Sequence, residues 1–152
     1  MNSNGRDEAT GPLKGIKVLD WTMWQFGPVS TSMMGDMGAD VIKIEALDGD
    51  AGRALRRASS LTMGLAGDRV AYFETANRNK RGIAVNLKTP EGREIVHRLV
   101  ETADVFVQNF RKGVAERLEL GYDTLREINP LLVYGSASGY GPEGPDAYQP
   151  SF

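Results

Sequence analysis

Residues 77–93 hold the combination of side chains best suited to binding a charged ligand. Lys80 and Arg81 bring positive charge, and the glycine that follows them predicts a turn of the backbone. Residues 83–87 then alternate with the period of two that is typical of a β-strand. Thr89, followed directly by a proline, predicts the start of a helix. A strand that leads into a helix N-terminus places backbone donors beside a cation, so this segment is predicted to bind a phosphate-bearing ligand.

Two other segments place polar or aromatic side chains where predicted strands end. Gln25 follows a strand at residues 16–21 and lies at a turn into a helix, where it could bind a carbonyl or phosphate oxygen. Asn109 and Phe110 follow a strand at residues 104–108. An amide can hydrogen-bond an adenine edge, and a phenyl ring can stack on a purine. Both patterns also fit ordinary structural turns, and the residues alone leave the two interpretations open.

Several common catalytic arrangements are missing from the sequence. The chain has no cysteine, and His97 is its only histidine, so the sequence offers neither a thiolate site nor a histidine pair. No G-x-G-x-x-G motif follows the first strand, and Gly35 and Gly38 lie at the far end of the predicted helix, where packing and helix termination explain them better. Ser136 and its neighbours do not form a hydrolase G-x-S-x-G motif. We therefore expect no resident metal and no hydrolase elbow.

The composition is that of an ordinary soluble domain. The chain has 152 residues, of which 41% are hydrophobic and 25% are charged. Its net charge of −2 provides no general attraction for nucleic acid or an anionic membrane. No apolar run approaches the roughly 20 residues of a membrane helix, and residues 1–12 lack the apolar segment of a signal peptide. These features predict a cytoplasmic protein with neither nucleic-acid nor membrane partners.

Strands and helices alternate along most of the chain. Strands are predicted at residues 16–21, 39–45, 83–87, 104–108 and 131–136, and helices at residues 28–37, 89–102, 113–118 and 123–129. This alternation predicts an α/β fold, a Rossmann-like open parallel sheet with flanking helices, in which ligands bind beyond the carboxyl ends of the strands. The spacing of Val29, Met33 and Met37 predicts the buried face of the first helix. Residues 46–78 are poorly periodic and are predicted to form a long functional loop.

Six ordered blocks carry a family resemblance. They are LKGIKVLD at residues 13–20, QFGP at 25–28, MMGDMGADVIKIE at 33–45, NKRGIAVNLKTPEG at 79–92, ADVFVQNF at 103–110 and INPLLVYGSASGYG at 128–141. In order and spacing they resemble the family III CoA-transferases, the CaiB/BaiF type that includes formyl-CoA and carnitine CoA-transferases. The resemblance covers nearly the whole chain but only the opening part of a family member.

The resemblance implies that coenzyme A or an acyl-CoA binds as substrate. Gln25 and Phe26 would lie near the thioester, with Gln25 as a contact to its oxyanion. The nucleotide part would be lined by residues from three segments, namely Val85, Asn86, Leu87, Lys88, Asn109, Phe110, Arg111 and Arg117. Residues 13–141 would therefore form a CoA-binding Rossmann-like domain, incomplete in this chain, between a flexible tail at residues 1–12 and a truncated loop at residues 142–152.

One position departs from the family pattern at the phosphate contact. Family members often carry an arginine just after the second strand, where it meets a CoA phosphate, and this chain has Ala46 there. The remaining candidates for that contact are Arg53, Arg56 and Lys80.

The family chemistry implied by the resemblance is covalent transfer of CoA between carboxylic acids. An aspartate carboxylate attacks the acyl-CoA to give a mixed anhydride, CoA returns to give an aspartyl-CoA thioester, and an acceptor acid reverses these steps. That aspartate would lie beyond Phe152, and Asp146 is not expected to replace it. We therefore expect a fragment that is inactive by itself, from a parent protein that is an interlocked homodimer acting on an acyl-CoA and a carboxylic acid.

Two alternatives stay open. An acyl-CoA racemase branch shares the fold and carries an acid–base histidine near the position of Phe152, where phenylalanine cannot transfer a proton and so favours the transferase. A non-catalytic nucleotide-binding module would use the same sheet. The sequence does not identify the acyl donor or acceptor.

Overall fold

The structure is a computed structural model that describes residues 10–58 and 60–151. Its elements in chain order are β1 (Lys17–Trp21), α1 (Phe26–Asp36), β2 (Asp40–Glu45), a 3-10 turn (Ala51–Ala54), β3 (Arg57–Ala58), β4 (Leu61–Thr62), α2 (Ala71–Ala76), β5 (Lys80–Ala84), α3 (Pro90–Val100), β6 (Val105–Gln108), α4 (Val114–Arg117), α5 (Tyr122–Ile128) and β7 (Val133–Ser136). Most of the predicted tail at residues 1–12 lies outside the described residues. The described residues from 142 to 151 contain turns and bends but neither helix nor strand.

Five strands form one sheet in the order β5-β2-β1-β6-β7, and all four neighbouring pairs are parallel. The chain runs outward from β1 through β2 to β5 and then returns to β6 on the other side of β1. The strand order therefore reverses at β1 and β6, which is where ligands bind in open α/β sheets. The predicted Rossmann-like parallel sheet is confirmed. The short strands β3 and β4 form a separate antiparallel hairpin.

Two apolar clusters hold the sheet between its helices. Leu19 and Trp21 point to one face, where they join a cluster that includes Val96 and Val100 of α3. Val18 points to the opposite face with a smaller cluster. Helix α3 begins as predicted, because the Thr89 side chain accepts a hydrogen bond from the backbone N–H of Gly92 at 3.2 Å. The sheet and α3 thus follow the apolar periodicity of the sequence.

The predicted buried face of α1 is wrong. Met33 is 54% exposed and Met37 is 38% exposed, whereas the helix residues that are buried are small or polar, namely Gly27, Pro28, Thr31 and Ser32. Thr31 faces the sheet because Asp20 is fully buried there and needs donors, and the Thr31 hydroxyl donates to Asp20 Oδ2 at 2.8 Å. The helix still ends where predicted, at Gly38 in the left-handed region with φ 98°.

The third strand of the sequence prediction is displaced by three residues. Strand β5 covers residues 80–84, so Lys80 and Arg81 lie within a strand and not in a turn, and Gly82 pairs with Lys43 in the ladder. Residues 85–88 leave the sheet. Val85 and Leu87 are nevertheless buried in the main apolar cluster, so their alternation reflects packing beyond the end of the strand.

The region predicted as a long loop contains structure that the periodicity did not reveal. Besides the β3–β4 hairpin, residues 46–78 include helix α2, which buries Phe73 and Ala76. A helix of six residues is too short to display a helical period in the sequence. Among the described residues, no helix is long and apolar enough to cross a membrane.

Candidate functional site

A cleft of about 480 Å³ lies beyond the carboxyl ends of β1, β2, β5 and β6. Its lining is Trp21, Thr22, Met23, Ile44, Glu45, Ala46, Leu47, Asp48, Gly49, Asp50, Val85, Asn86, Leu87, Lys88, Phe110, Val114 and Leu118. A second hollow of about 590 Å³ shares six of these residues, Met23, Ala46, Asp48, Gly49, Asp50 and Lys88, and extends to Arg53 and Ala54. The position agrees with the strand-end site that the fold prediction implies.

Aromatic rings form one wall of the cleft. The ring centroids of Trp21 and Phe110 are 4.2 Å apart, and Phe106 lies 6.2 Å from Trp21 on the core side. The backbone N–H of Phe110 donates to the buried Gln108 side chain at 2.8 Å, and the same side chain donates to Ser136 Oγ at 2.7 Å. Gln108 therefore fixes the start of the loop after β6, and Trp21 covers one side of the Phe110 ring. The wall is therefore apolar, and Gln108 supports it from the end of β6.

Side chains from β2 and from the loop after β6 hold the turn between β1 and α1. The Asn109 amide donates to the carbonyl of Met23 at 2.8 Å and accepts from its N–H at 2.9 Å. Lys43 Nζ donates to the carbonyl of Thr22 at 2.8 Å. Trp24 follows with φ 65°, a left-handed conformation that is uncommon for a bulky residue. The turn thus depends on contacts outside itself.

Two ion pairs brace the loop after β2. Lys43 Nζ lies 2.9 Å from Asp50 Oδ2, and each of these side chains is only 2% exposed. Arg53 donates two hydrogen bonds of 2.7 Å to Glu45, and its guanidinium carbon lies 3.7 Å from the centroid of the Phe73 ring. Burial raises the pKa of Glu45, but hydrogen bonds from Arg53 and the Asp50 N–H outweigh it and hold that pKa below its usual value. Neither carboxylate is a free anion in the cleft.

The lining of the cleft keeps one unpaired cation among the described residues, Lys88. Lys88 lines both hollows, and Arg111 and Arg117 adjoin the lining residues Phe110 and Leu118 in sequence. None of the three cations forms an ion pair with another residue of the described chain. The lining also holds the carboxylate of Asp48, which is likewise unpaired there. A phosphate group of a ligand would find the unneutralised Lys88 in this lining, with the Asp48 carboxylate nearby.

The structure brings together some of the predicted site residues and separates others. Val85, Asn86, Leu87, Lys88 and Phe110 line the cleft. Gln25, Phe26, Asn109, Arg111 and Arg117 are not among the lining residues. Gln25 and Phe26 are exposed at the start of α1, where Phe26 is 71% exposed and the Gln25 side chain makes no hydrogen bond within the described chain.

The three cations considered in place of an arginine at Ala46 already have other partners. Lys80 is buried against Asp20 on the other face of the sheet, Arg53 is paired with Glu45, and Arg56 contacts Asp68 at 2.9 Å.

The sequence reasoning missed Lys43, Asp50 and Gln108, whose side chains hold the loops around the cleft. What distinguishes these three residues is that their side chains are buried. The sequence does not reveal this burial, because the residues are polar and lie inside predicted strands or a long loop. In the part of the chain that the structure describes, no group of three or more His, Cys, Asp or Glu could hold a metal ion.

The fold and cleft define an α/β protein with a candidate ligand cleft at the carboxyl edge of a parallel sheet. The model of CoA-transferase family III matches residues 13–152, so this chain belongs to that family. An acyl-CoA transferase of Fusarium pseudograminearum is 44% identical over 89% of this chain and 30% of its own length. A succinyl-CoA:mesaconate CoA-transferase of Haloarcula marismortui is 45% identical over 86% of this chain and 33% of its own length.

Solved structures agree with this assignment. A CaiB/BaiF family protein from Brucella suis has 40% sequence identity and a TM-score of 0.83, covering 92% of this chain and 36% of that one. The chain thus spans about a third of the length of the curated relatives it matches. The resemblance found in the sequence blocks is confirmed.

Proposed function

We propose that this chain is the CoA-binding part of an enzyme that moves CoA between carboxylic acids. The observation that carries the proposal is the cleft at the carboxyl ends of the strands in a member of this family. Its aromatic and aliphatic wall suits the apolar stretches of an acyl-CoA, and the unpaired cation of Lys88 suits its phosphates. Phe110 and residues 85–88 are the predicted ligand contacts that line it.

The proposed reaction passes through an enzyme carboxylate that lies outside this chain. An aspartate oxygen attacks the thioester carbonyl and CoA leaves as the thiolate, which forms a mixed anhydride. The thiolate then attacks the aspartyl carbonyl and releases the donor acid, leaving an aspartyl-CoA thioester. An acceptor carboxylate repeats the two steps in reverse. In this scheme the described residues bind and orient CoA, and Gln25 would approach the thioester from the start of α1.

Calorimetry with CoA and NAD tests the binding proposal. We expect the 152-residue chain to bind CoA and to bind NAD much more weakly, because the cleft lacks the glycine-rich phosphate loop of dinucleotide-binding proteins. Binding of NAD without binding of CoA would instead favour a general nucleotide-binding module.

A second test concerns the missing nucleophile. We expect the 152-residue chain to catalyse no exchange between an acyl-CoA and a labelled carboxylic acid, although it binds CoA. Asp146 lies exposed in the terminal turns, away from the cleft lining. Turnover that disappears in the Asp146→Ala variant would overturn the proposal that the nucleophile lies elsewhere.

We also propose that the whole enzyme is an interlocked homodimer in the cytoplasm. Large apolar side chains at the surface support the dimer, including Phe26, Leu131 and Tyr148, which are 71%, 90% and 73% exposed. The absence of cysteine from the sequence is consistent with a reducing compartment. Light scattering should show association of the purified chain, whereas a monodisperse monomer would count against exposed interface surface. Cell fractionation tests the location.

A further inference from the structure

We infer that Asn109 is a positioning residue that shapes the CoA cleft by fixing Met23. The inference rests on the proposed function and deepens it. It adds a role to the one that the family resemblance implies for Asn109, which is contact with the nucleotide part of CoA.

The Asn109 side chain has both of its polar atoms engaged by one residue. Its Nδ2 donates to the Met23 carbonyl at 2.8 Å, and its Oδ1 accepts from the Met23 N–H at 2.9 Å. The two residues are 86 positions apart in sequence, so the contact joins the turn after β1 to the loop after β6. Met23 lines both hollows of the site, whereas Asn109 lines neither. The amide therefore acts on the cleft through Met23.

The turn around Met23 needs such a contact because its own geometry does not stabilise it. Trp24 has φ 65°, and Gln25, the N-cap residue of α1, makes no side-chain cap hydrogen bond. The flanking backbone is held in the same way, since Lys43 donates to the Thr22 carbonyl and Asp20 accepts from the Thr22 N–H at 3.1 Å. The Met23 backbone groups have Asn109 as their side-chain partner, so loss of Asn109 leaves this one residue of the turn unheld.

An amide is the chemical group that this contact requires. It carries a donor and an acceptor side by side, and the backbone of a single residue offers the complementary pair. A carboxylate of the same shape keeps the acceptor but loses the donor, and it places negative charge against the Met23 carbonyl. The Asn109→Asp variant therefore disrupts the contact with almost no change of volume, and Asn109→Ala removes it without adding charge.

Asn129 provides a matched control elsewhere in the chain. Its amide donates to the carbonyls of Val100 and Ala103 at 3.0 and 2.8 Å and accepts from the N–H of Leu131 at 3.1 Å. It precedes β7 and therefore lies at the amino edge of the sheet, opposite the cleft. The Asn129→Asp variant makes the same chemical change in a similar clamp, so it reports the general cost of losing one.

The first measurement is the affinity of each folded variant for CoA by calorimetry, with the melting temperature measured in parallel. We expect Asn109→Asp and Asn109→Ala to weaken CoA binding by about tenfold, a change typical of one or two lost hydrogen bonds. Asn129→Asp should lower the melting temperature but leave the affinity within about twofold. Equal loss of affinity in the Asn129 variant, or none in either Asn109 variant, would overturn the inference.

A readout without ligand keeps this inference distinguishable from the proposed function. Trp24 is the partly exposed tryptophan, whereas Trp21 is buried. Acrylamide quenching of tryptophan fluorescence should therefore increase in the Asn109 variants and not in Asn129→Asp, since the turn next to Trp24 is released. If the wild type does not bind CoA, the proposed function fails, and this quenching still decides whether Asn109 fixes the turn. Unchanged quenching in both Asn109 variants would refute the positioning role.

Discussion

Lys80 donates to Asp20 across the face of the sheet that α1 covers. The distance from Lys80 Nζ to Asp20 Oδ2 is 2.7 Å, and the two side chains are 2% and 0% exposed. The carbonyl oxygens of Pro28 and Ala76 and the Asn77 side-chain oxygen also lie within 3.0 Å of Lys80 Nζ and share its remaining N–H donors. Burial lowers the pKa of Lys80 to about 8, although Asp20 acts in the opposite direction. This pair ties β1, β5 and the helices α1 and α2 together.

Breaking this pair on one side should be strongly destabilising. We expect Asp20→Asn to reduce the free energy of unfolding by about 3 kcal/mol, because it leaves the Lys80 ammonium buried without a counter-charge. Urea denaturation followed by circular dichroism measures the change. The matched control is Asp40→Asn, which removes the exposed pair of Asp40 with Arg81 and should cost far less. If the two substitutions reduced the free energy of unfolding equally, burial of the Asp20–Lys80 pair would not explain its contribution to stability.

Glu45 should make stability depend on pH in the acid range. Its pKa in the folded protein lies below the ordinary value of 4.5, so the folded state binds its proton more weakly than the unfolded state does. The contribution to stability is complete above pH 4.5 and is lost as the pH falls through the lowered pKa. In Glu45→Gln the free energy of unfolding should therefore fall less steeply below pH 4.5 than in the wild type. Urea titrations at several pH values measure the slopes.

A control for the Glu45 experiment is Glu127→Gln. Glu127 is exposed on α5 and forms no ion pair in the described part of the chain. Its variant should follow the wild-type pH dependence. If both variants followed the wild type, the Arg53–Glu45 contact would not contribute to acid stability.

The fold could be predicted largely because apolar alternation and helix starts are local signals. Strand β1 and helix α3 lie within a few residues of their predicted positions, and the Thr89 cap is formed. The buried face of α1 could not be predicted in this way, since it is set by the buried carboxylate of Asp20, and hydrophobic spacing pointed to Met33 instead. The hydrogen bond of Thr31 to Asp20, which is distant in sequence, therefore outweighed the local hydrophobic spacing.

The sequence predicted that the site would lie at the ends of the strands, but it did not predict which residues would contact each other there. Residues 85–88 and Phe110 follow strands, and the parallel sheet brings their positions to one edge. The contact of Asn109 with Met23 joins residues 86 apart, and no local spacing encodes it. Lys80 shows the same difficulty, because a lysine next to an arginine and a glycine fits a charged turn as well as a strand start. In the structure Lys80 begins β5 and pairs with the buried Asp20.

Gly92 should be required for the placement of residues 86–88 beside the cleft. A Cβ atom at position 92 would lie 2.0 Å from the Asn86 carbonyl oxygen and 2.6 Å from its carbonyl carbon. Because backbone cannot move aside as a flexible side chain would, Gly92→Ala should lower the free energy of unfolding by about 1–3 kcal/mol and should weaken CoA binding. Thermal unfolding and calorimetry measure the two effects.

The control for Gly92 is Gly64→Ala on the outer loop. The atom nearest to a Cβ there is the end of the Arg56 side chain, at 3.7 Å. We expect no loss of CoA affinity in this variant. A Gly92→Ala protein with wild-type affinity would show that the Asn86 segment does not need its observed position for binding.

Lys88 should supply the main attraction between the cleft and a phosphate group. It lines both hollows and has no ion-pair partner among the described residues, whereas Arg53 is already bound to Glu45. Lys88→Ala is expected to weaken CoA binding by about tenfold and to reduce its dependence on salt, as loss of one charged hydrogen bond would. The control is Arg57→Ala, which removes the same charge from the exposed strand β3 outside the cleft. Calorimetry at two salt concentrations distinguishes the cases, and an equal loss in both variants would mean that net charge, not the site, governs affinity.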